Sequence, residues 1–332
     1  MKKILIILLL LLTACAPVSQ KILNTAIPTA TPVPPPFGQS GAWNLIFNDE
    51  FDGITLDLSK WKPNWFGAND TSITNPPNTN EYTCYNPANV SLVDGSLKLS
   101  ITPNTDPNCH RRDGSVAPYQ SGLISSNQHF QFTYGYFEAR IWSPAGVDHK
   151  SVWPSFWTDG QRWPQDGEID VLEAYGTDQS VSYHYHYSGG GPGGNSTVVG
   201  STTGYHIYAA NWEPGKITWY YDGRQVWQYT TGIISVPHYL MLNLAVAGTQ
   251  VQLPTAQLVD YVRVWKSAPI TGTPATPTET YIPITKTPIT TIFTPSRTPT
   301  RTVMPTRTPS LIFTPTFECL LFPAHNQKVC LP

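Results

Sequence analysis

The sequence has 332 residues, with 20 lysines and arginines against 22 aspartates and glutamates; 13% of it is charged and 12% aromatic. That balance excludes a nucleic-acid binder, which needs a concentrated basic face to neutralise phosphates. The 32 prolines crowd before residue 37 and after residue 268, so only the middle of the chain has the composition of a globular domain.

The chain opens MKKILIILLLLLTACAP: two lysines, nine consecutive Ile or Leu residues, then Thr13, Ala14 and Cys15. That apolar run falls short of the ~20 residues a membrane-spanning helix needs. A basic start with small residues at the end fits a secretory signal. Leu12-Thr13-Ala14-Cys15 also resembles the lipobox of bacterial lipoproteins, which implies removal of residues 1–14 and lipidation of Cys15. A plain signal cut near Ala14 or Ala16 is the alternative. The lipoprotein reading expects a protein at the cell surface or outside it, touching membrane only through a lipid anchor. Export frees Cys84, Cys109, Cys319 and Cys330 for disulfides. Three pairings are possible, and proximity favours Cys84 with Cys109 and Cys319 with Cys330. A metal reading is weaker, since no Cys-x-x-Cys accompanies them.

Residues 15–38 are Thr and Pro with almost no charge, which reads as an extended tether. Residues 39–267 carry strand signals: SLKLSI and GYFEARIW alternate, KITWYYDGRQVW reads as two strands around an Asp222-Gly223 turn, and YLMLNLAV and VDYVRVW follow. No window of ten or more residues shows a convincing helical stripe. The expectation is one all-β domain, a sandwich or jelly roll, with no internal repeat. A second Thr/Pro tract spans 268–316, and a short tail bracketed by cysteines, residues 317–332, is too small to fold without a staple.

Within the domain, GEIDVLEAYG places Glu168, Asp170 and Glu173 among Ile, Val and Leu. A helix would spread them to about 0°, 200° and 140°. A regular strand puts Glu168 and Asp170 on one face but sends Glu173 to the apolar face and Leu172 to the acid face. One extra residue near Val171 and Leu172, a β-bulge, returns both to their proper sides, and bulges gather beside active sites. Three like charges in a row push at least one pKa upward. A retaining glycosidase needs that arrangement, one ionised carboxylate as nucleophile and one protonated carboxyl ~5–5.5 Å away. A solvent-facing acidic strand and a calcium cluster are the competing readings. Trp153, Trp157 and Trp163, just upstream, are rings on which sugars stack, and they favour a groove.

Glu168-Ile169-Asp170-Val171-Leu172-Glu173 resembles the Glu-x-Asp-x-x-Glu signature of glycoside hydrolase family 16, the retaining β-glucanases and their relatives. LIFNDEFDG, LDLSKW, SGLISSNQHFQFTYGYFEARIWSP, WPSFWTDG, HIYAANWEPGKITWYYDG, LMLNLAV and VDYVRVW resemble the family's other blocks, in order. The resemblance implies a concanavalin A-like jelly-roll β-sandwich with a concave substrate groove. It also implies Glu168 as nucleophile, Glu173 as general acid/base and Asp170 as assisting carboxylate. Asn80, Arg140 and His186 lie in blocks that line the family's groove. His184 shares the face of His186, so periodicity does not choose between them. No cofactor is expected for catalysis. The resemblance suggests a structural Ca2+ held by Glu50, the Gly95 carbonyl and Asp260, with ordinary surface acids as the alternative.

Two departures bear on substrate. The Gly-Gly-Asn-Trp-Pro stretch usual after LNLAV in laminarinase-type members is absent, and YHYHYSGGGPGGN brings an unusual glycine-rich loop. The expected function is a monomeric, surface-anchored endo-glycosidase acting on β-1,3- or mixed β-1,3/1,4-glucan. The alternatives are a transglycosylase or endo-galactanase on the same fold, or a non-catalytic glycan-binding module.

Overall fold

The computed structural model describes residues 33–144, 151–174, 180–189, 195–199, 202, 204–268, 318–322 and 327–331. The signal segment 1–14, Cys15, residues 15–32 of the tether, residues 269–316 of the linker and residues 190–194 of the glycine-rich loop lie outside the described residues. By contacts the chain divides into Met1–Pro34, of which only residues 33 and 34 are described, and Pro35–Pro332, which holds all the described strands.

Two sheets build the domain. The larger runs, in spatial order, β14 (Arg224–Tyr229), β13 (Lys216–Tyr221), β12 (Tyr205–Glu213), β7 (Gly135–Trp142), β16 (Thr255–Ser267), β4 (Ser96–Pro103), β5 (Tyr119–Ser121) and β2 (Thr83–Tyr85). Off that path, β1 (Trp43–Asp49) pairs with β16 and β3 (Val90–Val93) with β4. The smaller sheet runs β11 (Asn195–Val199), β10 (Ser180–His186), β9 (Glu168–Glu173), β8 (Val152–Asp159), β15 (Tyr239–Val246) and β6 (Leu123–Ser125). The all-β jelly-roll expectation holds, and the alternating segments become strands where the pattern puts them. Asp222 and Gly223 form the turn between β13 and β14, both at positive φ, as a two-residue hairpin requires.

Period two separates the faces. In β7, Phe137, Ala139 and Ile141 enter one core with Leu97 and Leu99 of β4, Phe156 of β8 and Leu240, Leu242 and Leu244 of β15. Truncating one such leucine to Ala costs about 2–5 kcal/mol. The alternate residues of β15, Tyr239 and Met241, instead join Trp157, Leu123 and Tyr85 in a separate cluster on the other face of the smaller sheet. That face carries the acids. The chain passes from larger to smaller sheet at Gly122, where a Cβ would stand 2.7 Å from the Asn89 carbonyl oxygen.

The expected Cys84–Cys109 disulfide is present. It closes a 25-residue separation, which on loop entropy contributes about 3 kcal/mol. In the tail, β17 (Glu318–Phe322) and β18 (Gln327–Leu331) form an antiparallel hairpin whose register sets Cys319 opposite Cys330.

Candidate active site

Strand β9 is irregular where its carboxylates require it. Against β8, Glu173 faces Ser155, Leu172 faces Phe156 and Asp170 faces Trp157, so Val171 is the extra residue. Against β10, Glu173 faces Ser182 and Asp170 faces His184, three steps on β9 for two on β10. Val171 and Leu172 both turn into the core. The Asp170 carbonyl at the bulge accepts from the Trp219 indole, which reaches across from the larger sheet at 2.8 Å.

Asp170 is thereby the hub of the row. A carboxylate oxygen of Glu168, one of Asp170 and an imidazole nitrogen of His186 lie within 4.8 Å of one another, and so do the corresponding atoms of Asp170, Glu173 and His184. His186 Nε2 stands 3.3 Å from Asp170 Oδ2 and 3.9 Å from Glu168 Oε1. His184 Nδ1 hydrogen-bonds Glu173 Oε2, and Trp153 Nε1 donates to Glu173 Oε1 at 3.1 Å. The structure thus separates the histidines that periodicity left equivalent: His186 faces Glu168 and Asp170, and His184 faces Glu173.

Charge is costly here. Burial pushes Glu168 well above the usual carboxylate range and the Asp170 charge adds to it, while His186 pulls the other way. Burial likewise raises Asp170, with the Glu173 charge adding. Glu168 keeps 17% of its side chain exposed and Asp170 only 4%, and a hydrogen bond from Glu168 pulls Asp170 back down.

The tryptophans gather on this face. Trp157 donates to Asn243 Oδ1 at 2.7 Å and meets Trp65 edge-on, and Trp163 is 49% exposed with its ring 6.4 Å from that of His186. Asn80 is exposed on the loop before β2, its amide tied to Asn78 Oδ1.

Arg140 is a correction. It alternates with Phe137, Ala139 and Ile141, which fill the core, so it points off the outer face of the larger sheet, on the side of the sandwich away from β9. There it binds Asp260 Oδ2 at 2.7 Å and covers the Tyr205 ring. The calcium set fares similarly. Both oxygens of Glu50 accept from Arg263, at 2.9 and 2.7 Å. Asp260 is taken by Arg140. An open cleft of about 320 Å³ beside Glu50 is lined by Asp49, Asp52, Asp57 and Lys60 and by neither Gly95 nor Asp260. Calcium wants six to eight oxygens, and as arranged these residues do not fit that cage.

Over residues 78–259, more than half of the chain, the sequence matches the family described as Glycosyl hydrolases family 16. The chain belongs to glycosyl hydrolase family 16. It is similar to "Glucan endo-1,3-beta-glucosidase A1" of Niallia circulans, 33% identical over 67% of this chain and 38% of that protein. It is also similar to "Endo-1,3-1,4-beta-glycanase EglC" of Rhizobium meliloti (strain 1021), 30% identical over 66% of this chain and 51% of that protein. The chain therefore spans about half or less of these curated relatives. The laminarinase catalytic domain from Thermotoga petrophila RKU-1 shares the fold, with TM-score 0.59 and 24% identity over 69% of this chain and 99% of that one.

In this family 16 chain, sequence reasoning missed three groups on the groove face. Asp159, opposite Glu168 on β8, accepts from Tyr239, and burial pushes it up to about 7. Glu81 is buried between Asn78 and Tyr85; burial pushes it up to about 8, and the Glu173 charge adds to the push. Asn243 donates to Tyr85 and accepts from Trp157, linking Glu81 through Tyr85 to Trp157. The signals were faint but present: a lone Asn in YLMLNLAV and a lone Asp ending WPSFWTD.

Proposed function

We propose that the protein is an endo-acting β-glucan hydrolase, cleaving β-1,3 or mixed β-1,3/1,4 linkages with retention. The observation that carries the reading is the bulge, which brings Glu168, Asp170 and Glu173 to one face of β9. Names of the two curated relatives support the substrate class.

The chemistry follows from the row. Three like charges this close do not all ionise. Asp170, the most buried of the three, shares a proton with Glu168 across their hydrogen bond and holds it when Glu168 acts as the anion. Glu168 attacks the anomeric carbon while Glu173 passes its proton to the departing glycosidic oxygen. Glu173, now ionised, takes a proton from water, which releases the sugar from Glu168. Trp163, exposed, and Trp65, half-buried against Trp157, offer flat apolar faces to the sugar.

The same proposal extends to the flanks. Leu12-Thr13-Ala14-Cys15 supports export and lipidation of Cys15, with residues 15–38 as a tether that leaves the domain at the cell surface as a monomer. The Cys319–Cys330 register supports a second disulfide as the staple of the tail.

The test is product analysis on laminarin, lichenan, galactan, agarose and xyloglucan. We expect oligosaccharides from laminarin or lichenan, released about 10²- to 10⁴-fold more slowly with Glu168→Gln. Cleavage of galactan or agarose alone overturns the substrate class. For the anchor, Cys15→Ser is expected to move the protein from the membrane fraction to the medium.

A further inference from the structure

His184 has no task in the retaining scheme, yet it is tied into it. It stands opposite Asp170 on β10, with 16% of its side chain exposed, and its Nδ1 hydrogen-bonds Oε2 of Glu173. Trp153 Nε1 donates to Oε1 of the same carboxyl at 3.1 Å. One oxygen is therefore held by a donor that does not titrate and the other by a ring that does.

We infer that His184 is the positioning residue of the acid/base Glu173, fixing its carboxyl and sharing with it the proton passed to the leaving oxygen. This rests on the retaining reading above. The pair holds one proton between Nδ1 and Oε2. That proton goes to the glycosidic oxygen as the C1–O bond breaks and Glu168 bonds C1. It is replaced by one from water as hydroxide's oxygen bonds C1 and Glu168 leaves. The cycle ends with the pair holding one proton again.

The groups around His184 set its titration. Burial pulls the imidazole down, but the Glu173 hydrogen bond and charge, with the Asp170 charge, outweigh it and hold His184 above its ordinary value. His186, its ring 5.9 Å away on the same strand, opposes them. Beyond Glu173 lies Glu81, whose titration feels that carboxyl. On the other side β11, with sequence NSTVV, adds no titratable side chain.

The first measurement needs no substrate: nitrogen-15 NMR titration of the histidines in the full chain, with His184→Gln to assign the signal. We expect His184 to titrate above the ~6.5 of a free imidazole, and its midpoint to fall by about one unit, tenfold in the constant, in Glu173→Gln. Equal midpoints overturn the shared proton. The second is the pH profile of kcat/KM on laminarin. Glutamine keeps a donor but cannot titrate, so in His184→Gln the alkaline limb is expected to move down by about one unit with KM within about twofold. His184→Ala is expected to lose about tenfold in kcat as well. Limbs that superimpose overturn the inference. If Glu173→Gln retains activity, the acid/base reading itself falls; if it is inactive while His184 titrates independently, only the role of His184 falls.

Discussion

Carboxylates stand on both outer faces of the sandwich, and the two faces answer them differently. On the larger sheet Glu50 is gripped by Arg263 through two hydrogen bonds and Asp260 is held by Arg140. On the smaller sheet Glu168 and Asp170 face His186, and Glu173 faces His184. Arginine stays charged at every relevant pH, whereas histidine titrates near neutrality. An acid meant to remain an anion is given the first kind of partner. Glu173, the acid proposed to gain and lose a proton in each turnover, is given the second, and the Glu168–Asp170 pair shares a partner of the same kind.

The contrast breaks most sharply at the row. Glu168→Gln and Glu173→Gln are each expected to lower kcat on laminarin or lichenan by about 10²- to 10⁴-fold, with the fold retained. Near-wild-type turnover of either variant would remove the distinction between the faces.

Next in size is Asp159, beside Glu168. Its folded-state value of about 7 lies above the ordinary 3.8. Between those values the folded state binds more protons than the unfolded one, so stability falls as pH rises through that window. Asp159→Asn is expected to raise stability by up to about 4 kcal/mol at pH 8 and to have no such effect near pH 3, read as Tm.

The arginine face gives the opposite sign on a smaller scale. Burial pushes Glu50 up, but its hydrogen bonds to Arg263 and Asn48 outweigh that and hold it below the usual range. Its stabilisation is present above the unfolded value and is lost as pH falls. Glu50→Gln is expected to cost about 1–2 kcal/mol at pH 7 and to converge on wild type in acid, by chemical denaturation. Smallest is calcium: with Arg263 and Arg140 on the acids proposed for it, EDTA is expected to leave Tm unchanged. A calcium-dependent rise would restore a site on Glu50, Gly95 and Asp260.

The bulge was legible because two residues in six, Leu172 and Glu173, would otherwise each face the wrong side of β9, and only a register shift cures both. Arg140 misled because a place in a block that lines the family's groove does not say which face of the strand carries the side chain. The arginine partners were out of reach for another reason: Arg263 and Glu50 are 213 residues apart in sequence, and Asn243 and Tyr85 are 158 apart. Such pairs follow from the order of strands across the sheets, which local pattern does not encode. His184 and His186 share one face by period two. Their separate partners arise only because the bulge advances Glu173 toward His184.

The claim that this bulged row performs retaining hydrolysis on Glu168 is tested most directly by trapping. The full-length protein is incubated with a 2-deoxy-2-fluoro β-glucosyl oligosaccharide bearing a good leaving group, and the labelled peptide is sequenced by mass spectrometry. We expect one covalent sugar on Glu168, and NMR of fresh product showing the β-anomer first. A label on another residue, or the α-anomer as first product, would contradict it.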